Sequence, residues 1–356
     1  MGDAVGHDVA GMFAVLQEKG VETHIVAQEW APDVTLPVEP FDQYEKYAQQ
    51  PSTVSIYHHS TSWEAACRRF LAAAGPKVLR YHNVTPPAFF APYSPSLATE
   101  THLGRRQTEV LVRSGRIDLF LGDSSYNLQE LEALGASASR CHPLPPFHTL
   151  RDLSSVPAPV PLLERYLDGT YNVLFLGRVV PNKGHHHLLG VLAAFRRLFL
   201  RSIRLFIVGD LDPRFHAYHQ ELYALAQGLR VADAVAWTGK VSQEELKAYF
   251  LFAHAFLVMS EHEGFCVPVV EAMAHSIPVV AYASSAVAET VGDAGVVLQG
   301  LDYDHYAAAL ELLFSRPDLR DAVIARQQRR LAEHFAASVL SEQFWTLIAP
   351  FLGQEA

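Results

Sequence analysis

The feature of the sequence that most constrains the fold is a repeated alternation between short apolar runs and segments of helical periodicity. Most of the apolar runs end at glycine or polar residues, and an amphipathic helical pattern follows them. Strands that are apolar along their length are typical of parallel sheets whose two faces are both covered by helices. The alternation therefore predicts an α/β protein in which ligands bind at the carboxyl ends of the strands. In the first half, the predicted strands are 52–58, 77–82 and 117–122, and the predicted helices are 63–74, 99–114 and 125–134.

Length and composition narrow the class of protein further. A chain of 356 residues with 49% apolar and 19% charged residues is long enough for about two globular domains. The net charge of −10 argues against a nucleic-acid partner, because neutralising phosphates requires a basic surface. No apolar run approaches the ~20 residues of a membrane span, and no signal-peptide pattern follows Met1. We therefore expect a cytoplasmic protein; peripheral contact with the inner membrane face and the oligomeric state are left open.

The cysteines and histidines do not predict a metal centre. Cys67, Cys141 and Cys266 are scattered without CxxC spacing, so we expect reduced thiols rather than disulfides or a zinc site. The histidines occur in adjacent runs, at 58–59 and 185–187, and neighbours in sequence seldom converge on one ion. We therefore predict no metal site.

A segment crowded with prolines divides the chain. Proline withholds a backbone donor and disfavours helix before it, so this segment is interpreted as a connection rather than as an element. The predicted domains are residues 1–150 and 171–335, joined by a proline-rich linker over 151–170, with a terminal helix at 336–356.

Two loops of the second half are candidates for binding an anion. The strand 171–176 ends at Gly177-Arg178, and Lys183-Gly184 follows before the next helix; glycines allow close backbone approach, and Arg178 and Lys183 can meet two phosphates. The second loop follows the strand 255–259. If Pro268 is the first helical residue, Glu263 and Glu271 flank a helix N-terminus, which has free N–H groups.

These motifs together resemble glycosyltransferase family 4. The resemblance rests on the two glutamates with seven residues between them, on Gly264-Phe265 after the first, on the run 272–281, and on the Gly-Arg…Lys-Gly loop. It implies a GT-B fold, in which two Rossmann-like domains face a central cleft, with the donor held by the second domain and the acceptor by the first. It also implies sugar transfer with retention of configuration, without a metal ion and without a cofactor other than the nucleotide sugar.

The resemblance assigns roles residue by residue. Glu263 faces the sugar hydroxyls, Glu271 faces the ribose hydroxyls, and His82, at the end of a strand of the first half, orients the sugar near the reacting bond. His58 and His59 end a neighbouring strand, and the residues leave open whether they are structural or functional. The remaining donor-binding residues that the resemblance implies are Gly177, Arg178, Lys183, Gly184, Gly264, Phe265 and Cys266.

The amino-terminal end departs from the family pattern. In the family, a central strand leads into a glycine-rich loop, for which Gly2–Gly6 is the candidate, and a helix and a strand follow, here 8–19 and 21–27. No residues remain ahead of the loop to make the central strand. Either the natural chain begins upstream of Met1 or the sheet is rearranged, and the first is the expectation.

The function that these expectations describe is sugar transfer from a nucleotide diphosphate sugar, linked to UDP or GDP, to an acceptor hydroxyl. The acceptor is a saccharide, a lipid-linked saccharide or a small molecule, and the setting is polysaccharide or glycoconjugate synthesis. A sugar-nucleotide epimerase on the same architecture and a non-catalytic sugar-nucleotide binder are the alternatives.

Overall fold

The computed structural model describes residues 4–32, 34–148, 153 and 155–354. The chain divides into two units. Unit 1 comprises Met1–Pro87, Ser96–Thr149 and His334–Ala356, and unit 2 comprises Ala88–Pro95 and Leu150–Glu333.

Helices and strands alternate along both units, as the apolar pattern predicts. The first part of the chain contains α1 (Ala4–Glu18), β1 (Ile25–Ala27), β2 (Val38–Pro40), α2 (Tyr44–Ala48), β3 (Ser55–His59), α3 (Glu64–Ala72), β4 (Lys77–Tyr81), α4 (Pro95–Arg113), β5 (Leu119–Gly122), α5 (Ser125–Ala133) and β6 (Cys141–Pro143). The rest contains α6 (Val160–Tyr166), β7 (Tyr171–Leu176), α7 (His185–Leu198), β8 (Ile203–Val208), α8 (His216–Gly228), β9 (Val235–Gly239), α9 (Gln243–Phe252), β10 (Ala255–Val258), α10 (Val267–Ala274), β11 (Val279–Tyr282), α11 (Val287–Val291), β12 (Val296–Leu298), α12 (Tyr303–Ser315), α13 (Pro317–Arg330) and α14 (Ala337–Ile348).

Unit 2 is built on one six-stranded parallel sheet in the order β12-β11-β10-β7-β8-β9. Its central strands β7, β8 and β10 are buried almost along their whole length, as expected for a parallel sheet with both faces covered. The loops after β7 and β10 emerge at the carboxyl ends of two hydrogen-bonded strands. The topology therefore brings the two predicted anion loops to the same edge of the sheet.

In unit 1 the strands form two separate parallel sheets. β3, β4, β5 and β6 pair in that order, whereas β1, among the described residues, pairs with β2 alone. Of the expected strand 21–27, only Ile25–Ala27 is extended. The predicted glycine-rich loop at Gly2–Gly6 is wrong where it is described, because residues 4–6 form the start of α1; Gly2 and Asp3 lie outside the described residues. A glycine near a helix end costs less than in the interior, and the apolar repeat of α1 continues through residues 9–16.

Two boundary predictions also require correction. The segment 151–170 is not a pure connection, because α6 lies within it, with Pro161 in the first helical turn where its missing N–H costs nothing. Leu162, Leu163 and Tyr166 of α6 pack against the core of unit 2. In addition, Ala88–Pro95 groups with unit 2 rather than with the first domain, and Phe90 packs against Phe215 there.

The terminal helix α14 belongs to unit 1. Its residues Leu340, Phe344, Trp345 and Ile348 are buried in one cluster with residues of α1. By length and composition alone, the helical segment Pro317–Leu352 could cross a membrane, and this segment ends with α14. The apolar residues of α14 are accounted for by the core that they complete.

Candidate functional site

The loop after β7 requires glycine where it meets the next helix. Pro181–Lys183 form a short 3-10 turn, and Gly184 follows with a φ angle of 65°, in the left-handed region. A Cβ atom on Gly184 would stand 2.0 Å from the carbonyl oxygen of Met259, at the end of β10. Only glycine allows this approach, so Gly184 holds the beginning of α7 against the neighbouring strand.

Asn182 joins the two predicted anion loops into one structure. Its carbonyl oxygen accepts hydrogen bonds from the N–H groups of Glu261, at 2.9 Å, and His262, at 3.2 Å. Its side-chain amide donates to the carbonyl oxygen of His262 at 3.0 Å. Sequence reasoning missed Asn182, whose only signal was its place between the predicted phosphate-binding residues.

Glu263 is the centre of the hydrogen bonding at this edge. The Lys183 Nζ atom lies 2.7 Å from both of its carboxylate oxygens, and the Ser260 hydroxyl donates to Oε1 at 2.8 Å. The Glu263 N–H donates to the Ser285 hydroxyl at 2.8 Å. The structure thus brings the predicted residues Lys183 and Glu263 together. In this structure the Lys183 ammonium binds the Glu263 carboxylate rather than being held free for phosphate.

Helix α10 begins at a residue with strained backbone. Cys266 has φ 81° and ψ 65°, a left-handed conformation that costs a non-glycine residue about 1–3 kcal/mol. Pro268 follows as the second helical residue, after Val267, rather than as the first. Burial, and next the charge of Glu263, raise the pKa of the Cys266 thiol, which is therefore neutral at physiological pH.

The other predicted donor residues occupy different environments at this edge. Glu271 is buried in α10, one turn from its beginning, as expected from the spacing. Arg178, by contrast, is exposed directly after Gly177 at the end of β7. Phe265 is buried, and its carbonyl oxygen accepts a hydrogen bond from the Thr290 hydroxyl.

His82 lies in unit 1, where it forms a chain of hydrogen bonds with two further residues. Its Nδ1 atom is 3.1 Å from Asp123 Oδ2, and its Nε2 atom is 3.0 Å from His58 Nδ1. A carboxylate only accepts, so the His82 Nδ1 atom donates to Asp123. The contact between His82 Nε2 and His58 Nδ1 places His58 in the network. His59 turns away to the Thr108 hydroxyl, at 2.8 Å, which is a structural role.

A buried arginine anchors this network. Arg80 is fully buried in β4, with Nε 2.7 Å from Asp8 Oδ2, Nη2 2.8 Å from Asp123 Oδ1, and Nη1 donating to the Leu144 carbonyl at 2.8 Å. Burial alone would raise the pKa of Asp8, but Arg80, then His82 and His58, lower it to about 2. Burial, then His82, lowers the pKa of His58 to about 3. Sequence reasoning missed Asp8, Arg80 and Asp123; an arginine inside an otherwise apolar strand was the available signal.

Comparisons with known proteins support the family and the fold. Residues 167–330 match the family model described as Glycosyl transferases group 1. Over 195 residues, the chain is 33% identical to a GDP-mannose-dependent alpha-(1-6)-phosphatidylinositol monomannoside mannosyltransferase of Mycolicibacterium smegmatis, covering 52% of this chain and 50% of that protein. The chain spans about half the length, or less, of the first curated relatives that it matches.

Two solved structures are similar over nearly the whole chain. Sucrose-phosphate synthase from Thermosynechococcus elongatus aligns with a TM-score of 0.72 at 17% identity, covering 97% of this chain and 92% of that chain. HepE from Anabaena, in complex with UDP-glucose, aligns with a TM-score of 0.68 at 16% identity, covering 97% and 95%. The predicted GT-B fold is confirmed. The predicted family is confirmed at the level of group 1 over residues 167–330, and the narrower assignment to family 4 stays a prediction.

Proposed function

We propose that this chain, whose residues 167–330 match the group 1 glycosyl transferases, transfers a sugar from a nucleotide diphosphate sugar to an acceptor hydroxyl. The observation that carries the proposal is the Lys183–Glu263 ion pair in front of helix α10. A cation, a carboxylate and a helix N-terminus within one pair of loops suit a substrate that joins a diphosphate to a polyhydroxylated ring.

The diphosphate is proposed to bind between the two loops. Arg178 is exposed, and the ammonium of Lys183 has its bonds directed at Glu263. A bound diphosphate competes with Glu263 for that ammonium, and the charge developing on the leaving phosphate is stabilised by Lys183, Arg178 and the N–H groups at the start of α10. Glu263 then accepts hydrogen bonds from the sugar hydroxyls, and Glu271 from the ribose.

The proposed chemistry proceeds with retention of configuration. The bond from the anomeric carbon to the phosphate oxygen breaks, a bond to the acceptor oxygen forms on the same face, and the acceptor proton passes to the leaving phosphate. His82 is proposed to orient the donor sugar, because Asp123 holds its Nδ1 atom while a sugar hydroxyl replaces His58 as the hydrogen-bond partner of Nε2. Transfer itself is proposed to need neither a metal ion nor a further cofactor.

The nucleobase and the acceptor are proposed only as classes. The mannosyltransferase relative is named as dependent on GDP-mannose, and HepE was solved with UDP-glucose, so guanosine and uridine donors are the first candidates. A saccharide, a lipid-linked saccharide or a small polyol supplies the acceptor hydroxyl. Such a role in glycoconjugate or polysaccharide synthesis fits a protein working in the cytoplasm or peripherally at the inner membrane face.

A donor screen tests the proposal. The purified chain is titrated calorimetrically with UDP-, GDP- and ADP-linked sugars, and the tightest donor is incubated with a panel of acceptors while released nucleotide diphosphate is measured. We expect release that depends on the acceptor, and a product whose anomeric configuration, determined by NMR, is that of the donor.

Other outcomes of the screen would contradict the proposal. A new sugar nucleotide formed without acceptor would favour the epimerase, and tight donor binding with no turnover on any acceptor would favour the non-catalytic binder. An inverted product would contradict retention alone.

A further inference from the structure

We propose that unit 2 binds one divalent transition-metal ion, preferably Zn²⁺, through Nε2 of His186, Nε2 of His187 and Oε1 of Glu261. The two imidazole nitrogens each lie 3.6 Å from the same carboxylate oxygen, and the three atoms lie within 4.8 Å of one another. Zinc at its usual distances holds tetrahedral ligands about 3.4 Å apart, so small side-chain adjustments close the site. Water would fill the remaining position.

His187 has the environment of a metal-binding histidine. The ring is buried, and its Nδ1 atom lies 2.8 Å from the phenol oxygen of Tyr303. Its Nε2 atom is buried without a hydrogen-bond partner among the described residues. Histidines that bind metals generally hydrogen-bond through the other ring nitrogen, which fixes the ring and directs the free lone pair at the ion.

The position of Tyr303 is set by the packing of two helices. A Cβ atom on Gly190 of α7 would stand 2.3 Å from the Tyr303 ring, so the ring lies directly on the surface of α7. The phenol is therefore held one turn from His187, and the hydrogen bond to Nδ1 does not depend on a mobile side chain.

The three side chains are of the types that bind zinc. Two imidazole nitrogens and one carboxylate oxygen are ligands that Zn²⁺ accepts in proteins. The first turn of α7 presents N–H groups that oppose a cation, so the charge of Glu261 is essential to the site.

A second cluster with similar composition lacks these properties. In unit 1, Asp8, His58 and His82 are equally close, but the two rings are hydrogen-bonded to each other and Arg80 binds the same Asp8 oxygen. The lone pairs there are occupied and a buried guanidinium adjoins them. We therefore propose the metal ion at the unit 2 cluster rather than at this one.

Binding at this cluster would join helix α7 to the loop that carries Glu263. Glu261 lies two residues before Glu263, and its N–H is bonded to the Asn182 carbonyl. The ion is inferred to stabilise this loop and takes no part in the transfer chemistry. The inference stands without the proposed function, because it rests on the ligands alone.

Metal titration of the full chain, freed of purification-tag histidines and stripped with EDTA, tests the inference. Zn²⁺ binding is measured by calorimetry, and Co²⁺ binding is measured by its visible absorption bands. The Tm is measured with and without Zn²⁺. The variants are Glu261→Gln and His186→Gln, at partly exposed positions, and Tyr303→Phe; the control is His305→Gln, an exposed histidine on α12 beside a single carboxylate.

We expect one equivalent of Zn²⁺ with a Kd of about 10 μM or lower and a Co²⁺ spectrum of low coordination number. Glu261→Gln and His186→Gln should each weaken binding at least about tenfold and remove the Zn²⁺-induced rise in Tm, and Tyr303→Phe should weaken binding about tenfold. His305→Gln should bind as the wild type. Absence of saturable Zn²⁺ binding, or an affinity in the Glu261 and His186 variants equal to that of the wild type, would overturn the inference whatever the transferase assay shows.

Discussion

The Lys183 ammonium lies 2.7 Å from both carboxylate oxygens of Glu263, so two residues expected to contact different parts of the donor first contact each other. Both side chains are largely shielded from solvent, at 19% and 9% exposure. The pair therefore has a structural role in this structure, and a donor phosphate is proposed to compete with Glu263 for the ammonium.

Lys183→Ala should lower stability as well as donor affinity. Removing one partner of a shielded ion pair leaves an uncompensated carboxylate, and we expect a loss of about 1–3 kcal/mol in the free energy of unfolding in urea. Lys183→Ala combined with Glu263→Gln should recover part of that loss. Arg196→Ala, which breaks an exposed pair with Asp233, should cost no more than about 1 kcal/mol. Nucleotide diphosphate affinity should fall about ten- to a hundredfold in Lys183→Ala, and unchanged affinity would remove Lys183 from the donor site.

Variants of Glu263 and Glu271 should differ in which ligand they bind less tightly. Glu263→Gln should lower turnover while sparing affinity for the bare nucleotide diphosphate, because the proposed contact is to the sugar. Glu271→Gln should weaken both the bare nucleotide and the sugar nucleotide, because the proposed contact is to the ribose. Glu244→Gln, on the exposed first turn of α9, is the control. Calorimetric profiles that do not differ between the two site variants would contradict this division.

His82→Asn should lower kcat by at least about tenfold and leave nucleotide diphosphate affinity unchanged, since the diphosphate is proposed to bind in unit 2. The matched control is His142→Asn, a half-buried histidine on β6 of the same unit. Steady-state kinetics with the preferred donor separate kcat from KM. Equal losses of kcat in the His82 and His142 variants would indicate general damage to unit 1 rather than a role of the His82 ring.

Acid should destabilise the protein through its buried histidines. Burial lowers the pKa of His59 to about 4 from 6.5, so the unfolded chain binds this proton more readily than the folded one. Stability is therefore unaffected by this group above pH 6.5 and falls as the pH drops from 6.5 towards 4, by up to about 1.4 kcal/mol per pH unit. His59→Gln should flatten that slope in urea unfolding measured across the window. A slope identical to the wild type would show that His59 does not contribute.

Phe344→Ala should test the placement of the terminal helix. Phe344 is fully buried in unit 1 and meets the Phe147 ring edge to face, with 6.0 Å between centroids. Truncation should cost about 3–5 kcal/mol of the free energy of unfolding. Leu251→Ala, at an exposed position on α9, should change stability by no more than about 0.5 kcal/mol. A negligible effect of Phe344→Ala would contradict the burial of α14 in this core.

Local patterns in the sequence predicted most of the elements near the site. The strand 255–259 and the helix after it, the spacing of Glu263 and Glu271, and the glycine at 184 are recovered because each depends on residues within a few positions. Hydrophobic periodicity and turn chemistry are local properties, and parallel strands bring their carboxyl ends to one edge wherever they pair.

Contacts between distant segments were decided by the tertiary structure. Asp8 and Arg80 are 72 residues apart and Lys183 and Glu263 are 80 apart, and neither pairing leaves a periodic signal. The same holds for His187 and Glu261, which meet although adjacent histidines had argued against a shared ion. The sequence by itself determined the parallel α/β sheets and the residues at their edge, because apolar periodicity and glycine conformation are local. Only the tertiary structure decided which charges are paired, because that depends on which loops the finished sheet brings together.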